Sequence, residues 1–319
     1  MRTAFLGNGV FGLPALEALA RSGHELAALV TRPDREQGRG RRPSPTLTKV
    51  RAGELGLPVV EIDDLSSAAA AEALAALEAE IWAVVAFPII PGELLTIPPA
   101  GTVNLHASLL PRYRGAAPVQ WALINGEETT GVTTFFIDAG IDTGAICLQR
   151  EVAIAPGENA GDLSARLARL GAALLLETLD RVEAGTAPRR PQNTALATPA
   201  PRLQKNDGEI DWTLPAAAIA NRIRGLTPWP GAFTFLETER LMVLQARVIS
   251  AEQLPWERDQ LLRPGTLGGF DDDGTPVVSA GDGSGVALVS LQRESRSAAP
   301  GADVIRGLRC ECGECFGDD

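Results

Sequence analysis

The sequence predicts an α/β protein: a doubly wound, mostly parallel sheet followed by a smaller, mostly β domain. Three observations carry this. Strand-like and helix-like segments alternate through the first half, the pattern of a sheet covered by helices. Residues 81–87 (Ile-Trp-Ala-Val-Val-Ala-Phe) are apolar on both faces of a strand, as a buried parallel strand requires. Beyond residue 207, short β-like runs are separated by Gly and Asp turns, which suggests a small barrel or sandwich. A chain of 319 residues accommodates two domains. The expected division is 1–186 for the first domain, 187–206 for a linker and 207–319 for the second, with a Cys-containing acidic tail at 309–319.

The elements follow in order. Residues 2–6 read as a strand, then Gly7-Asn8-Gly9-Val10-Phe11-Gly12 leads into a helix at about 13–21. This G-x-G-x-x-G turn has two readings, a pyrophosphate site or a tight turn whose glycines allow close packing. The strand at 26–30 ends in Thr31-Arg32, not in the acidic residue that would hold a ribose. His24 lies in the preceding turn, where a surface or capping role is expected. Residues 32–48 form a long basic loop, either a polyanion contact or a solvated charge run. A helix (48–55), a strand (59–61), an Ala-rich helix (68–79) and the strand at 81–87 come next.

Residues 101–106 read as a strand ending in polar groups, and 111–118 as an irregular loop rich in Pro and Gly. A strand at 131–137 runs into Asp138-Ala139-Gly140-Ile141-Asp142-Thr143-Gly144. Two strand ends would thereby bring an amide, an imidazole and carboxylates to one sheet edge, where open α/β sheets bind ligands. A strand (145–153) and a long amphipathic helix (160–184) close the first half. The proline-rich, aperiodic stretch 186–206 reads as a linker. A helix at 215–225 follows, with strands at 232–236, 241–249, 265–267, 275–279 and 286–291.

Composition narrows the function. The net charge of −11 argues against a general nucleic-acid binder, but residues 32–51 hold seven Lys and Arg against Asp34 and Glu36. No apolar run reaches the ~18 residues of a membrane span. Four cysteines, three of them crowded at Cys310, Cys312 and Cys315, make no disulfide framework, so a cytoplasmic location is expected. Three thiols without a fourth ligand are a poor zinc site, so no metal is expected and the tail is read as frayed.

Asn104, His106 and Asp142 have complementary chemistry. An amide donates to a developing oxyanion. Imidazole exchanges protons near neutral pH. A neighbouring carboxylate orients the ring and favours its charged form. With no activated nucleophile among them, the set suggests direct attack by a substrate nucleophile on a carbonyl. The alternative is a strand-end histidine with satisfied hydrogen bonds.

The run from Asn104-Leu105-His106-Ala107-Ser108-Leu109-Leu110-Pro111 to Ala117-Pro118, with Asp138-x-Gly140-x-Asp142-Thr143-Gly144, resembles the signature of the folate-dependent formyltransferases. Gly38-Arg39-Gly40-Arg41-Arg42 resembles the tRNA-contacting loop of the methionyl-tRNA formyltransferase family. Asp211-Trp212-Thr213-Leu214 and residues 221–230 are similar to the start of that family's C-terminal domain. The resemblance covers residues 2 to about 292; the cysteine tail is foreign to the family's pattern. It implies a Rossmann-like catalytic domain followed by an oligonucleotide-binding-type barrel. The implied reaction is formyl transfer from 10-formyltetrahydrofolate to the α-amine of initiator methionyl-tRNA, by a cytoplasmic monomer. Asn104, His106 and Asp142 would be catalytic. Phe87, Ile89, Ser108, Leu109, Leu110, Pro111, Asp138 and Gly140 would bind substrate, and Arg39, Arg41 and Arg42 would bind tRNA. The competing readings are a relative that uses an amino-sugar nucleotide or hydrolyses 10-formyltetrahydrofolate, a nicotinamide-dependent oxidoreductase, and a catalytically silent RNA-binding protein.

Overall fold

A computed structural model describes residues 1–37, 42–257, 260 and 262–317. The chain divides into two compact units. The first comprises Met1–Pro118, Thr129–Val152 and Ser164–Pro201; the second comprises Val119–Glu128, Ala153–Leu163 and Arg202–Asp319.

The first unit is built on β1 (Arg2–Gly7), α1 (Leu13–Ala20), β2 (Glu25–Thr31), β3 (Arg35–Gln37), β4 (Arg42–Ser44), α2 (Leu47–Glu54), β5 (Val59–Glu61), α3 (Ala68–Ala75), β6 (Ile81–Val85) and β7 (Thr102–His106). After α4 (Pro118–Ile124) come β8 (Thr129–Phe136), β9 (Ile146–Ala153) and α5 (Ala160–Glu183). Seven strands form one sheet in the order β5-β2-β1-β6-β7-β8-β9. The pairs from β5 to β7 are parallel, as the apolar β6 required. Its five residues are all buried. Leu6, Val30, Leu74, Trp82 and Val84 share one core under α3.

The expected delivery of two strand ends to one edge is corrected by strand direction. β8 runs antiparallel to β7, pairing Val103 with Phe136 and His106 with Thr133. Its C-terminal end therefore lies beside the start of β7, and Asp142 reaches His106 through the loop after β8. Side chains alternate along β7, so Asn104 and His106 share one face. Leu105 on the other face meets α5 at Gly171, where an added Cβ would lie 2.7 Å from a Leu105 methyl.

The G-x-G-x-x-G turn takes its packing role. A Cβ on Gly7 would meet the Phe5 ring at 2.7 Å and the Val85 carbonyl at 3.0 Å. Asn8 Oδ1 accepts from Thr31 Oγ1 and the Arg32 N–H, both at 2.8 Å, and so ties the turn to β2. His24 is not a surface residue. Its imidazole is buried, 3.1 Å from Asp180 Oδ1 on α5 and 3.4 Å from the Met1 amine. The residue before β2 is thus held by the N-terminus and a distant helix, contacts that sequence spacing does not reveal. The basic loop contains the antiparallel β3–β4 hairpin. Two cations just after it, on α2, are already paired: Lys49 with Asp34 and Glu61, and Arg51 with Glu17 and Glu54.

The second unit contains α6 (Ala216–Leu226), β10 (Ala232–Leu236), β11 (Glu239–Ile249), β12 (Leu267–Phe270), β13 (Pro276–Ser279), β14 (Gly285–Arg293), β15 (Ala299–Pro300) and α7 (Gly301–Leu308). Its sheet runs β10-β11-β14-β13-β12 with antiparallel pairing, and β15 pairs with β14. The residues described after α7 are docked rather than frayed. The Phe316 N–H donates to Gly265 O at 2.7 Å and the Gly317 N–H to Phe235 O at 2.9 Å. The tail thereby bridges β10 and the segment entering β12, the two edges of the sheet. Phe316 is buried against Trp212, which explains the docking: one aromatic anchor outweighs the acidic character of its neighbours. Among the described residues, no helix is long and apolar enough to cross a membrane.

Candidate active site

His106 is the centre of the predicted set. It is buried at the end of β7, and its Nε2 lies 2.8 Å from the Tyr113 carbonyl. A carbonyl oxygen only accepts, so Nε2 carries a proton and Nδ1 is the nitrogen left to exchange one. Asp142 Oδ2 stands 3.6 Å from Nδ1, too far for a direct hydrogen bond. The ring is therefore oriented mainly by a backbone carbonyl, which sequence reasoning missed, and faced by the carboxylate it expected. Asp142 is itself fixed: its Oδ2 accepts the Gly115 N–H at 2.8 Å. Asn104, two residues before His106 on the same face of β7, is half-buried. These residues can polarise a carbonyl and supply or accept a proton at one imidazole nitrogen.

The loop that supplies Tyr113 and Gly115 is held at positive φ, +60° at Tyr113 and +123° at Gly115. For a bulky residue such as Tyr this region is strained and persists only when the surroundings impose it. They come from the stretch read as a linker. Thr198 Oγ1 accepts the Tyr113 N–H at 2.8 Å, Thr198 O accepts the Arg114 N–H at 2.8 Å, and the Ala200 N–H donates to Arg114 O at 2.6 Å. Residues 190–200 thus run along the loop as part of the first unit. Thr133 supports the other end, donating to Ser108 O at 2.6 Å and accepting the Leu110 N–H at 3.1 Å.

The expected substrate residues separate into groups. Ser108 is fully buried and donates to Arg112 O at 2.6 Å. Leu110 packs with Phe135 and Ile146. These two side chains face the interior, and their backbone is tied down as well, Ser108 O and the Leu110 N–H by Thr133 and Leu110 O by Gln149 Nε2; Leu109 and Pro111 are half-buried beside them. Asp138 organises its own loop, accepting from the Gly140 N–H at 3.0 Å and Thr143 Oγ1 at 2.5 Å. Phe87 and Ile89 line a cavity of about 250 Å³ with Arg32, Ile62, Asp64 and Pro88. This cavity lies beyond the C-terminal ends of β2, β5 and β6, where parallel sheets bind ligands. Asn104, His106 and Asp142 are not among its walls. Arg39 and Arg41 lie outside the described residues; Arg42 begins β4, of which only the backbone is described.

The chain resembles known proteins over its whole length. Residues 1–179 match the formyl transferase family and residues 202–309 its C-terminal domain. A methionyl-tRNA formyltransferase of Solibacter usitatus is 43% identical over 319 residues, covering 100% of this chain and 99% of the relative. An N-formyltransferase from Helicobacter canadensis, solved with folinic acid and dTDP-3-aminofucose, is 19% identical, with a TM-score of 0.65 over 91% of this chain and 98% of that one. HypX from Aquifex aeolicus shares the fold at a TM-score of 0.64 and 17% identity; the match covers 96% of this chain and 48% of that one. On the full-length match to its relatives, the chain belongs to the methionyl-tRNA formyltransferase family.

Proposed function

We propose that the chain transfers the formyl group of 10-formyltetrahydrofolate to the α-amine of methionine on initiator methionyl-tRNA. The observation that carries this reading is the constellation on β7: an amide at Asn104 and an imidazole at His106 whose Nε2 is tied to Tyr113 O, with Asp142 facing Nδ1. The amine nitrogen attacks the formyl carbon, and the carbonyl oxygen becomes an oxyanion. In this reading Asn104 Nδ2–H and a protonated His106 Nδ1 donate to it, an effect strongest where water is excluded. Collapse breaks the bond from carbon to N10 of the folate. The attacking nitrogen gives up one proton as N10 gains one, so the transfer is neutral overall. Asp142 compensates the imidazolium charge while that proton moves.

The basic loop supports an RNA acceptor over a small one, because its cations occur in a chain otherwise strongly acidic. The same reading takes the enzyme to be a cytoplasmic monomer. It takes residues 1–186 as the catalytic domain and 207–319 as a barrel that assists tRNA binding. The test is formylation of initiator methionyl-tRNA by purified protein with 10-formyltetrahydrofolate, with elongator methionyl-tRNA as control. Selective transfer to the initiator supports the proposal. Donor binding without transfer to either tRNA would overturn the acceptor and redirect the search to amino-sugar nucleotides.

A further inference from the structure

We infer that Gln192 is a positioning residue of this site: its carboxamide clamps together the two loops that face His106. The inference rests on the proposed role of His106 and Asp142 and extends it to a side chain in the proline-rich stretch. Gln192 Oε1 accepts from Arg114 Nε at 3.1 Å and Arg114 Nη2 at 2.7 Å. Its Nε2 donates to Asp142 O and to Gly144 O, both at 2.8 Å. A carboxamide has two acceptor sites and two N–H donors, and all are used. One side is the loop of Tyr113 and Gly115, the other the loop of Asp142.

The connections close a ring. Gln192 holds Arg114; the adjacent Gly115 N–H holds Asp142 Oδ2; and the Asp142 backbone returns to Gln192. Asp142 sits at a φ of +53°, a conformation that needs outside support in a non-glycine residue. Gln192 supplies it at the carbonyl while Gly115 fixes the carboxylate. No other amino acid presents a planar group with both capacities at this length; glutamate retains the acceptor half alone, and asparagine is one methylene shorter.

The experiment compares wild type, Gln192→Ala and Gln192→Glu as full-length proteins. The readouts are kcat, KM for both substrates, Tm, and the imidazole nitrogen resonances of 15N-histidine-labelled protein. The chain has two histidines, so His24 serves as the internal control. Gln192→Ala is expected to lower kcat by about tenfold or more with each KM within about threefold, since Å-scale misplacement acts on the chemical step. Its His106 resonances move and those of His24 do not. Gln192→Glu still accepts from Arg114 but no longer donates to the Asp142 loop, and it is expected to remain as slow as Gln192→Ala. A kcat within about threefold of wild type in both variants, with His106 resonances unmoved, overturns the clamp. Should wild type fail to formylate methionyl-tRNA, the acceptor assignment falls and the resonances decide the clamp alone: movement confined to His106 upholds it, and none rejects it. Should Gln192→Ala fail to fold, Gln192→Glu gives the same readings.

Discussion

His106 and Tyr113 are joined by a 2.8 Å hydrogen bond from Nε2 to a backbone carbonyl, and Tyr113 holds a φ of +60° to make it. The bond selects the tautomer and leaves Nδ1 facing Asp142. Chemistry at this site then depends on one ring nitrogen.

His106→Ala is accordingly expected to lower the rate of formyl transfer by about two orders of magnitude or more, the usual loss for an acid–base group. Single-turnover kinetics with saturating donor measure this. A rate within about threefold of wild type removes His106 from the mechanism.

Gly115→Ala tests the carboxylate's anchor. The added Cβ would stand 2.6 Å from the Ala200 carbonyl, and φ there is +123°. The loop must shift and withdraw its N–H from Asp142. The expected cost is about 1–3 kcal/mol in stability, with at least about a tenfold loss of kcat from the misplaced carboxylate. Denaturant titration together with kcat checks both; unchanged values would mean the loop is not held as described.

The docked tail should contribute to folding of the second unit. Phe316→Ala removes a buried ring packed against Trp212, and about 3–5 kcal/mol is expected from such a deletion. Cys312→Ser, at an exposed position, should stay within about 0.5 kcal/mol. Equal stabilities of the two variants by urea unfolding would show that the tail does not brace the barrel.

The tail cysteines should differ in reactivity. Burial, reinforced by the neighbouring Glu314 charge, pushes the Cys310 thiol up to about 12. The thiolate is the nucleophile, so at pH 8 Cys310 stays protonated and alkylates slowly, and its rate should climb as the pH is raised toward 12. Peptide mapping after iodoacetamide treatment compares it with the exposed Cys312. Faster labelling of Cys310 at pH 8 would contradict its surroundings.

Arg39→Ala should weaken binding of methionyl-tRNA and reduce the slope of log affinity against log salt by roughly 0.7–0.9, the release of one counterion. Filter binding at several salt concentrations reads this; an unchanged slope removes Arg39 from the interface.

Much of this protein could be read from local pattern. The apolar run that became β6, the spacing that became α5 and the alternation of strands with helices each depend on residues a few positions apart. So did the segment that carries Asn104 and His106, because its residue types are chemically unusual within a strand. The helix α4, the β3–β4 hairpin and α7 escaped notice: the first is short and opens at a proline, the second has no apolar alternation, and the third lies beyond the last β-like run.

The amino-acid sequence by itself determined the fold class, the position of the amide and imidazole, and the concentration of cations in one loop. Tertiary structure alone decided how these act. It set β8 antiparallel to β7, turned Nδ1 of His106 toward Asp142, buried His24 beside the N-terminus, and laid Gln192 and Thr198 along the loop they brace. The physical reason is range. Helix and strand propensities act between near neighbours, whereas the hydrogen bonds that orient this site join groups 7 to 85 positions apart in the chain, and in most of them one partner is a backbone atom that every residue shares.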